Sequence, residues 1–292
     1  MFYEVEIPKP KAGKKTISAM VVLNPSESRR LLAKATVAMP EVQNAWKKGM
    51  IIIAKGVTNA YVSEELFKIS VEPKTAQSAG LVSGGLTNCN ADPPPCTWHV
   101  IKKGKAVEGA DSNVEIMNFG PEDVFIKGAN AVDTEGWAGI YVSSVKSGTI
   151  GMAWPVINSR CSHLVIPVSL EKMIPSVIEA SKHTGIYYFK YSMGLPAKLT
   201  PLPLALVITE IQAFGILTGV KAYHIGSGGV GGSEGSVHLS LEGDEETVEK
   251  AFELAKSVKG EPPVSLSKKF FIKSGADYNY DARAQLATLK GI

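Results

Sequence analysis

Short uninterrupted apolar runs punctuate the chain at Met50-Ile51-Ile52-Ile53-Ala54, Val124-Phe125-Ile126 and within Cys161–Ser169. Runs of this length, rich in β-branched residues, predict strands covered on both faces. Between them the apolar period lengthens to that of helices. Asn24-Pro25-Ser26-Glu27 reads as a helix start, with Asn24 as cap and Pro25 in the first turn. It opens a helix over Ser26–Val37 that offers Leu31, Leu32, Ala35 and Val37 for packing. Further helices are predicted over Glu41–Lys48, Ala60–Ile69, Leu170–Lys182, Glu210–Leu217 and Glu245–Val258, the last with Val248, Ala251, Phe252 and Ala255 on one face. Alternation predicts two short strands within residues 1–23 and others at Trp98–Ile101, Val114–Met117, Ala205–Ile208, Val220–Ile225 and Ser236–Leu241. Phe270-Phe271-Ile272 reads as an edge strand.

Strands alternating with helices predict an α/β fold: an open, largely parallel sheet with helices on both faces. Gly194, Pro196, Pro201 and Pro203 crowd residues 193–204, which read as a linker. The expected division is a ligand-binding α/β domain over 1–192 and a small α+β domain of split-βαβ (ferredoxin-like) form over 205–292.

Composition narrows the function classes. Apolar residues make up 45% of the 292 and charged residues 20%, an ordinary globular balance. A net charge of +3, with its densest basic run (Lys9, Lys11, Lys14, Lys15) at the N-terminal edge, points away from nucleic acid. Three cysteines do not make a disulfide framework, so a reducing cytoplasm is expected. The N-terminal residues lack the basic and apolar regions of a signal peptide, and no apolar run approaches the roughly 20 residues that span a bilayer.

Candidate chemistry concentrates where apolar runs empty into glycine-bearing loops. Lys55-Gly56-Val57-Thr58-Asn59 follows the first run. There glycine lets the backbone approach an anion, Thr58 offers a hydroxyl, and the next helix presents free N–H groups. The plain alternative is an ordinary strand-to-helix turn. Lys127, Gly128 and Asn130 follow the second run, and Lys146-Ser147-Gly148-Thr149 forms a third loop. Lys146 is a candidate for neutralising a phosphate or carboxylate or stabilising an enolate. Asp133 and Glu135, between these loops, are candidate proton carriers or nucleophiles, though loop acids are commonly just solvated. Thr58 and Gly148 are expected to converge on one anion. Cys89, Cys96 and His99 have a spacing foreign to zinc sites, and no metal is expected. Cys161 and His163 flank a strand and read as packing residues. Gly226–Gly231 satisfies a dinucleotide-binding spacing, but an alternating strand follows instead of a helix, so it reads as a hairpin or a glycine lid.

With these loops placed, Ile51–Asn59, Asp123–Asp133, Val145–Thr149 and Cys161–Ser169 resemble the superfamily of ribose-5-phosphate isomerase, glucosamine-6-phosphate deaminase, the CoA transferases and the sugar-phosphate-sensing domains of DeoR-type repressors. Methylthioribose-1-phosphate isomerases and their initiation-factor relatives belong to it too. The resemblance covers roughly residues 50–170. It implies a phosphate-binding loop at Gly56–Asn59 and a ligand site lined by Lys127, Gly128, Asn130 and Ser147–Thr149. Where those isomerases carry a catalytic carboxylate, this chain has Asn130, which does not accept a proton as a carboxylate does. The expected function is an enzyme, isomerase-like or handling acyl groups and coenzyme A, acting on a phosphorylated or carboxylated metabolite. The alternatives are a non-catalytic metabolite sensor and an interaction subunit. No bound cofactor is expected, coenzyme A entering only as a candidate substrate. The expected partners are a small anionic metabolite and further copies of the chain, with neither nucleic acid nor membrane.

Overall fold

Four apolar runs become neighbouring parallel strands. The computed structural model describes residues 1–9, 13–89, 99–266 and 280–287. At its centre β2 (Met50–Ile53), β7 (Val124–Ile126), β10 (His163–Pro167) and β12 (Leu206–Ile208) lie side by side in sequence order. Beyond β2, β5 (Val100–Lys102) and β6 (Lys105–Ala106) extend the sheet antiparallel to six strands. Successive side chains of a strand face opposite ways. Ile51, Ile53, Val124, Ile126 and Val165 therefore enter one core, while Met50, Ile52, Phe125, Leu164 and Ile166 enter another. This double burial explains why the runs are uninterrupted.

On the first face lie α1 (Pro25–Ala38), α3 (Val57–Phe67) and α7 (Glu210–Thr218), with α2 (Pro40–Lys48) beside α1. Asn24 caps α1 through the N–H groups of Ser26 and Glu27, and Glu27 reaches back to the Asn24 N–H. A cap of this kind stabilises by about 1 kcal/mol. The same core takes in a second sheet, β1 (Thr16–Leu23), β14 (Val237–Asp244) and β13 (Lys221–Ser227) in that spatial order, under α8 (Glu245–Ser257). The opposite face is covered by α5 (Gly148–Arg160) and by a small sheet of β11 (Lys198–Leu202), β9 (Ala138–Val142) and β8 (Ala131–Val132). A hairpin of β3 (Gly80–Ser83) and β4 (Leu86–Cys89), with short helices α4 (Ser112–Glu115), α6 (Val177–Lys182) and α9 (Ala282–Ala287), completes the elements.

Several expectations are replaced. The proposed linker holds β11, where Pro201 is tolerated because β11 is an edge strand. Among the described residues the strands expected to form a split-βαβ unit divide between two sheets: β12 joins the central sheet, while β13 and β14 pair with the N-terminal β1. Leu31, Val165, Phe214, Leu239 and Val248 share one core, so residues 1–192 and 205–266 fold around common interiors. Leu170–Lys182 is a 3-10 turn and then α6, separated at Pro175, which lacks a backbone donor. Val114 lies in α4, started by the Asp111 side chain, rather than in a strand. The first nine residues form no strand, and Phe2 alone bridges to Val207. Phe270–Ile272 and Cys96 lie outside the described residues. Among the described residues no helix is long and apolar enough to cross a membrane.

Candidate functional site

At the carboxyl ends of β2 and β7 the first two glycine loops meet. The Asn59 amide donates to the carbonyls of Ala54 and Ile126 (2.7 and 3.3 Å), tying the two strand ends together. α3 starts at Val57, three residues earlier than the apolar period indicates, with Gly56 as its N-cap and no side chain capping it. Its first-turn N–H groups thus face the edge without a side-chain acceptor, the arrangement that attracts anions. The Thr58 hydroxyl makes no hydrogen bond to a described residue.

Backbone geometry does not explain the two loop glycines. Gly56 is extended (φ 163°), and a Cβ there would meet nothing nearer than Asn59 Nδ2 at 3.8 Å. A Cβ on Gly128 would stand 3.9 Å from Thr58 Cβ, an ordinary contact. Both leave open space on the edge.

The third loop differs. Ser147 and Gly148 both have left-handed φ (57° and 56°), starting α5, and a Cβ on Gly151 would strike the Lys146 carbonyl. Its glycines are therefore required by the turn itself. α5 packs on the face opposite α3, so Thr58 approaches Gly128, while Gly148 lies across the sheet. Lys146 is exposed, and Thr149 follows within α5.

The proposed acids also separate. Asp133 is buried, and its carboxylate accepts N–H groups from Glu135, Trp137 and Val177. That is the work of a loop brace. Its turn packs against Met1 and Phe2, beside β12 at the far side of the sheet, and Glu135 there is exposed. Asn130 is exposed and accepts the Tyr141 N–H (3.0 Å), holding the loop to β9.

Lys127 leaves β7 at the middle of the edge. It is partly buried, and its amine makes no hydrogen bond or ion pair with a described residue. Burial alone lowers its pKa to about 8. A second partly buried amine is unmarked by any motif. Lys172 donates to the Ala129 carbonyl (2.9 Å), and its pKa falls to about 8 through burial, with Arg29 adding to the fall and Glu171 and Glu210 opposing it. Arg29 pairs with Glu171 (2.9 Å). Glu210 is fully buried, and burial raises its pKa, although its Oε2 accepts the Leu170 N–H and Ser169 and Ser28 stand near. Its Oε1 and the Ser28 hydroxyl lie close but out of hydrogen-bonding geometry.

Residues 226–236 form the β13–β14 hairpin, as the alternation after them requires. Gly235 packs beside Glu171 and Pro25, which sets the glycine-rich tip next to the loop carrying Lys172. Beneath Gly56, Asn59, Gln77 and His99 line a gap too tight for a water molecule. Among the described residues, Asn59 Oδ1, Gln77 Oε1 and His99 Nε2 have no hydrogen-bond partner. His99 Nδ1 faces the Ile53 carbonyl at 2.6 Å, and burial lowers its pKa to about 4. Burial raises the Cys89 thiol, which disfavours the thiolate. A hollow of about 390 Å³ opens at the opposite, amino edge, lined by Asn44, Lys48, Gly49 and residues 120–123. Its acids are already engaged, Asp123 by the N–H groups of Met50 and Gly120 and Glu122 by Asn44.

No family model, curated protein or solved structure matches the chain. The class is therefore defined by the fold and its edge: a mixed α/β protein whose parallel sheet ends in two converging glycine loops.

Proposed function

We propose that the β2–β7 edge binds a small phosphorylated or carboxylated metabolite, and that the chain acts on it as an enzyme, isomerase-like or acyl- and CoA-handling. The observation that carries this reading is the approach of Gly128 to Thr58, at glycines the backbone itself does not require. Around it stand the first turn of α3, which no side chain caps, and the Thr58 hydroxyl, which has no hydrogen-bond partner among the described residues. Amides hold the anion at the helix start. Asn130, in place of a carboxylate, favours a second reading, a metabolite sensor on the same scaffold.

Thermal-shift screening with sugar phosphates, carboxylates and acyl-CoAs tests the site. A ligand should raise the melting temperature of the wild type and lose about tenfold in affinity in Thr58→Val, as expected for one hydrogen bond to a charged group. A ligand indifferent to Thr58 would place binding elsewhere. Turnover of the binder separates enzyme from sensor.

A further inference from the structure

The gap beneath Gly56 is lined by hydrogen-bond acceptors that have nothing to accept. Asn59 and Gln77 are 1% and 8% exposed, and Asn59 Oδ1, Gln77 Oε1 and His99 Nε2 meet no donor among the described residues. Two of these atoms are fixed as acceptors by their partners in the same side chain. Asn59 Nδ2 donates to the Ala54 and Ile126 carbonyls, so the amide cannot turn over without losing both bonds. His99 Nδ1 lies 2.6 Å from the Ile53 carbonyl and carries the proton there, which leaves Nε2 with a bare lone pair. A pKa of about 4 keeps the ring neutral at pH 7. The Ser63 hydroxyl, also on the lining, donates to the Asn59 carbonyl (3.2 Å). Ile53 N–H pairs with the His99 carbonyl and continues the β2–β5 register, so His99 shares a face with Ile101, the face that α3 covers.

Donors stand directly beside these acceptors. The lining includes Gly56, Asn59 and Ala60, the N-cap and first turns of the 11-residue α3, whose leading N–H groups no side chain caps. Gly56 places no side chain between the two sets. An acceptor-only pocket adjoining a donor-only helix start matches a ligand in which a donor-only group is joined to an acceptor-only one. An ammonium has three hydrogens to give and no lone pair, and a carboxylate is the reverse. Lys55, whose charge acts on His99, and the positive end of α3 both repel a lone cation. The amine is therefore admitted only together with its own carboxylate.

We infer that the ligand of the β2–β7 edge is an amino acid, its carboxylate on the first-turn N–H groups of α3 and its ammonium held by Asn59, Gln77 and His99. This rests on the edge being an anion site. The gap is too tight for a water molecule as it stands. Gln77 reaches it from the 3-10 turn Lys74–Gln77, and rotation of that flexible side chain makes the room. Binding turns three idle buried acceptors into charge-assisted hydrogen bonds. A site built to hydrogen-bond a group rejects the analogue that lacks it.

The test titrates the full chain with the common L-amino acids one at a time, by thermal shift and then calorimetry. Each binder is paired with the carboxylic acid that lacks only its amine. The amino acid should bind at least about tenfold more tightly than that acid, and methylamine alone should not bind. Gln77→Leu should weaken the amino acid about tenfold and leave the deaminated acid unchanged, whereas Thr58→Val should weaken both. The comparison of ligands needs no variant, and the melting temperature of ligand-free Gln77→Leu reports its folding. Equal affinity for the two acids, both sensitive to Thr58, overturns the amine pocket and leaves the anion edge standing. Sugar phosphates or acyl-CoAs that bind through Thr58 while no amino acid binds do the same. An amino acid indifferent to both variants binds elsewhere, and that result, like the absence of any binder, removes both readings.

Discussion

Gly128 and Thr58 meet across the carboxyl ends of β7 and β2, with 3.9 Å separating the Thr58 Cβ from the position a Gly128 Cβ would take. The contact is close enough to make one site of two loops and loose enough to accept a methyl group. Gly56 has similar room, 3.8 Å to Asn59 Nδ2.

Alanine at either glycine should therefore separate stability from binding. Gly→Ala at a compatible backbone position stabilises by about 0.4–1 kcal/mol, because the unfolded chain loses freedom. Gly56→Ala and Gly128→Ala should melt no lower than the wild type, yet bind the anionic ligand at least about tenfold more weakly, as blocked backbone approach implies. Unchanged affinity with unchanged stability would show that the open space serves no ligand.

Asp133 should prove structural. Its carboxylate accepts three backbone N–H groups, and bonds to a charged group contribute about 1.5–3 kcal/mol each net of water, with losses that do not simply add. Asp133→Ala should lower unfolding stability by about 3 kcal/mol in urea, whereas exposed Glu135→Ala should stay within about 0.5 kcal/mol. An Asp133→Asn protein that keeps its stability and loses turnover would return the residue to the chemistry.

These contrasts mark how far the sequence could be read. Met50–Ile53, Val124–Ile126 and the 163–167 run declared their strands, because burial on both faces leaves an uninterrupted apolar signal. Lys127–Asn130 was legible as a strand-end loop for the same reason, whereas of Lys55–Asn59 only the turn at Gly56 is loop and Val57–Asn59 already belong to α3. The glycine at 148 carried the same letter for another cause, a left-handed turn, and letters do not show φ. Lys172, Glu210 and Arg29 come from three separated segments and carry no local pattern, so only the fold brings them together. The prolines near 200 suggested a linker because an edge strand and a linker tolerate proline alike.

Arg30 joins α1 to α3 and to the segment after α8. Its guanidinium reaches Glu64, Glu65 and both oxygens of Glu261, and it stacks 4.8 Å from the centre of the Tyr61 ring. These carboxylates raise its pKa against the opposing effect of burial. Lys74 and Lys34 still face Glu64 and Glu65 when Arg30 is removed, so part of the charge stays paired. Arg30→Met should cost about 3 kcal/mol, at the low end for breaking a buried ion pair. Arg30→Lys should recover less than half, since one ammonium cannot serve three carboxylates in a fork. Urea denaturation decides it, and a loss below about 0.5 kcal/mol for Arg30→Met would mean the network is solvated in effect.

Stability should depend on pH at two ends, with signs fixed by the buried bases. His99 has a pKa of about 4 when folded, below the ordinary 6.5, so the unfolded chain takes up the proton first. Its contribution is present above pH 6.5 and is lost as pH falls towards 4, by at most about 3 kcal/mol. Glu210 acts in the opposite sense, because its raised pKa makes the folded state bind the proton first. Lys127 and Lys172, lowered to about 8 from 10.5, leave the unfolded chain more protonated across that interval, so stability should climb as pH rises from 8 to 10.5. Differences between wild type and variants isolate each group from the remaining carboxylates. His99→Gln should flatten the loss between pH 6.5 and 5, and Lys127→Met should reduce the climb above pH 8, both read from urea midpoints at constant ionic strength. A Lys127→Met protein that climbs as steeply as the wild type would mean that the Lys127 amine is fully hydrated in the folded chain.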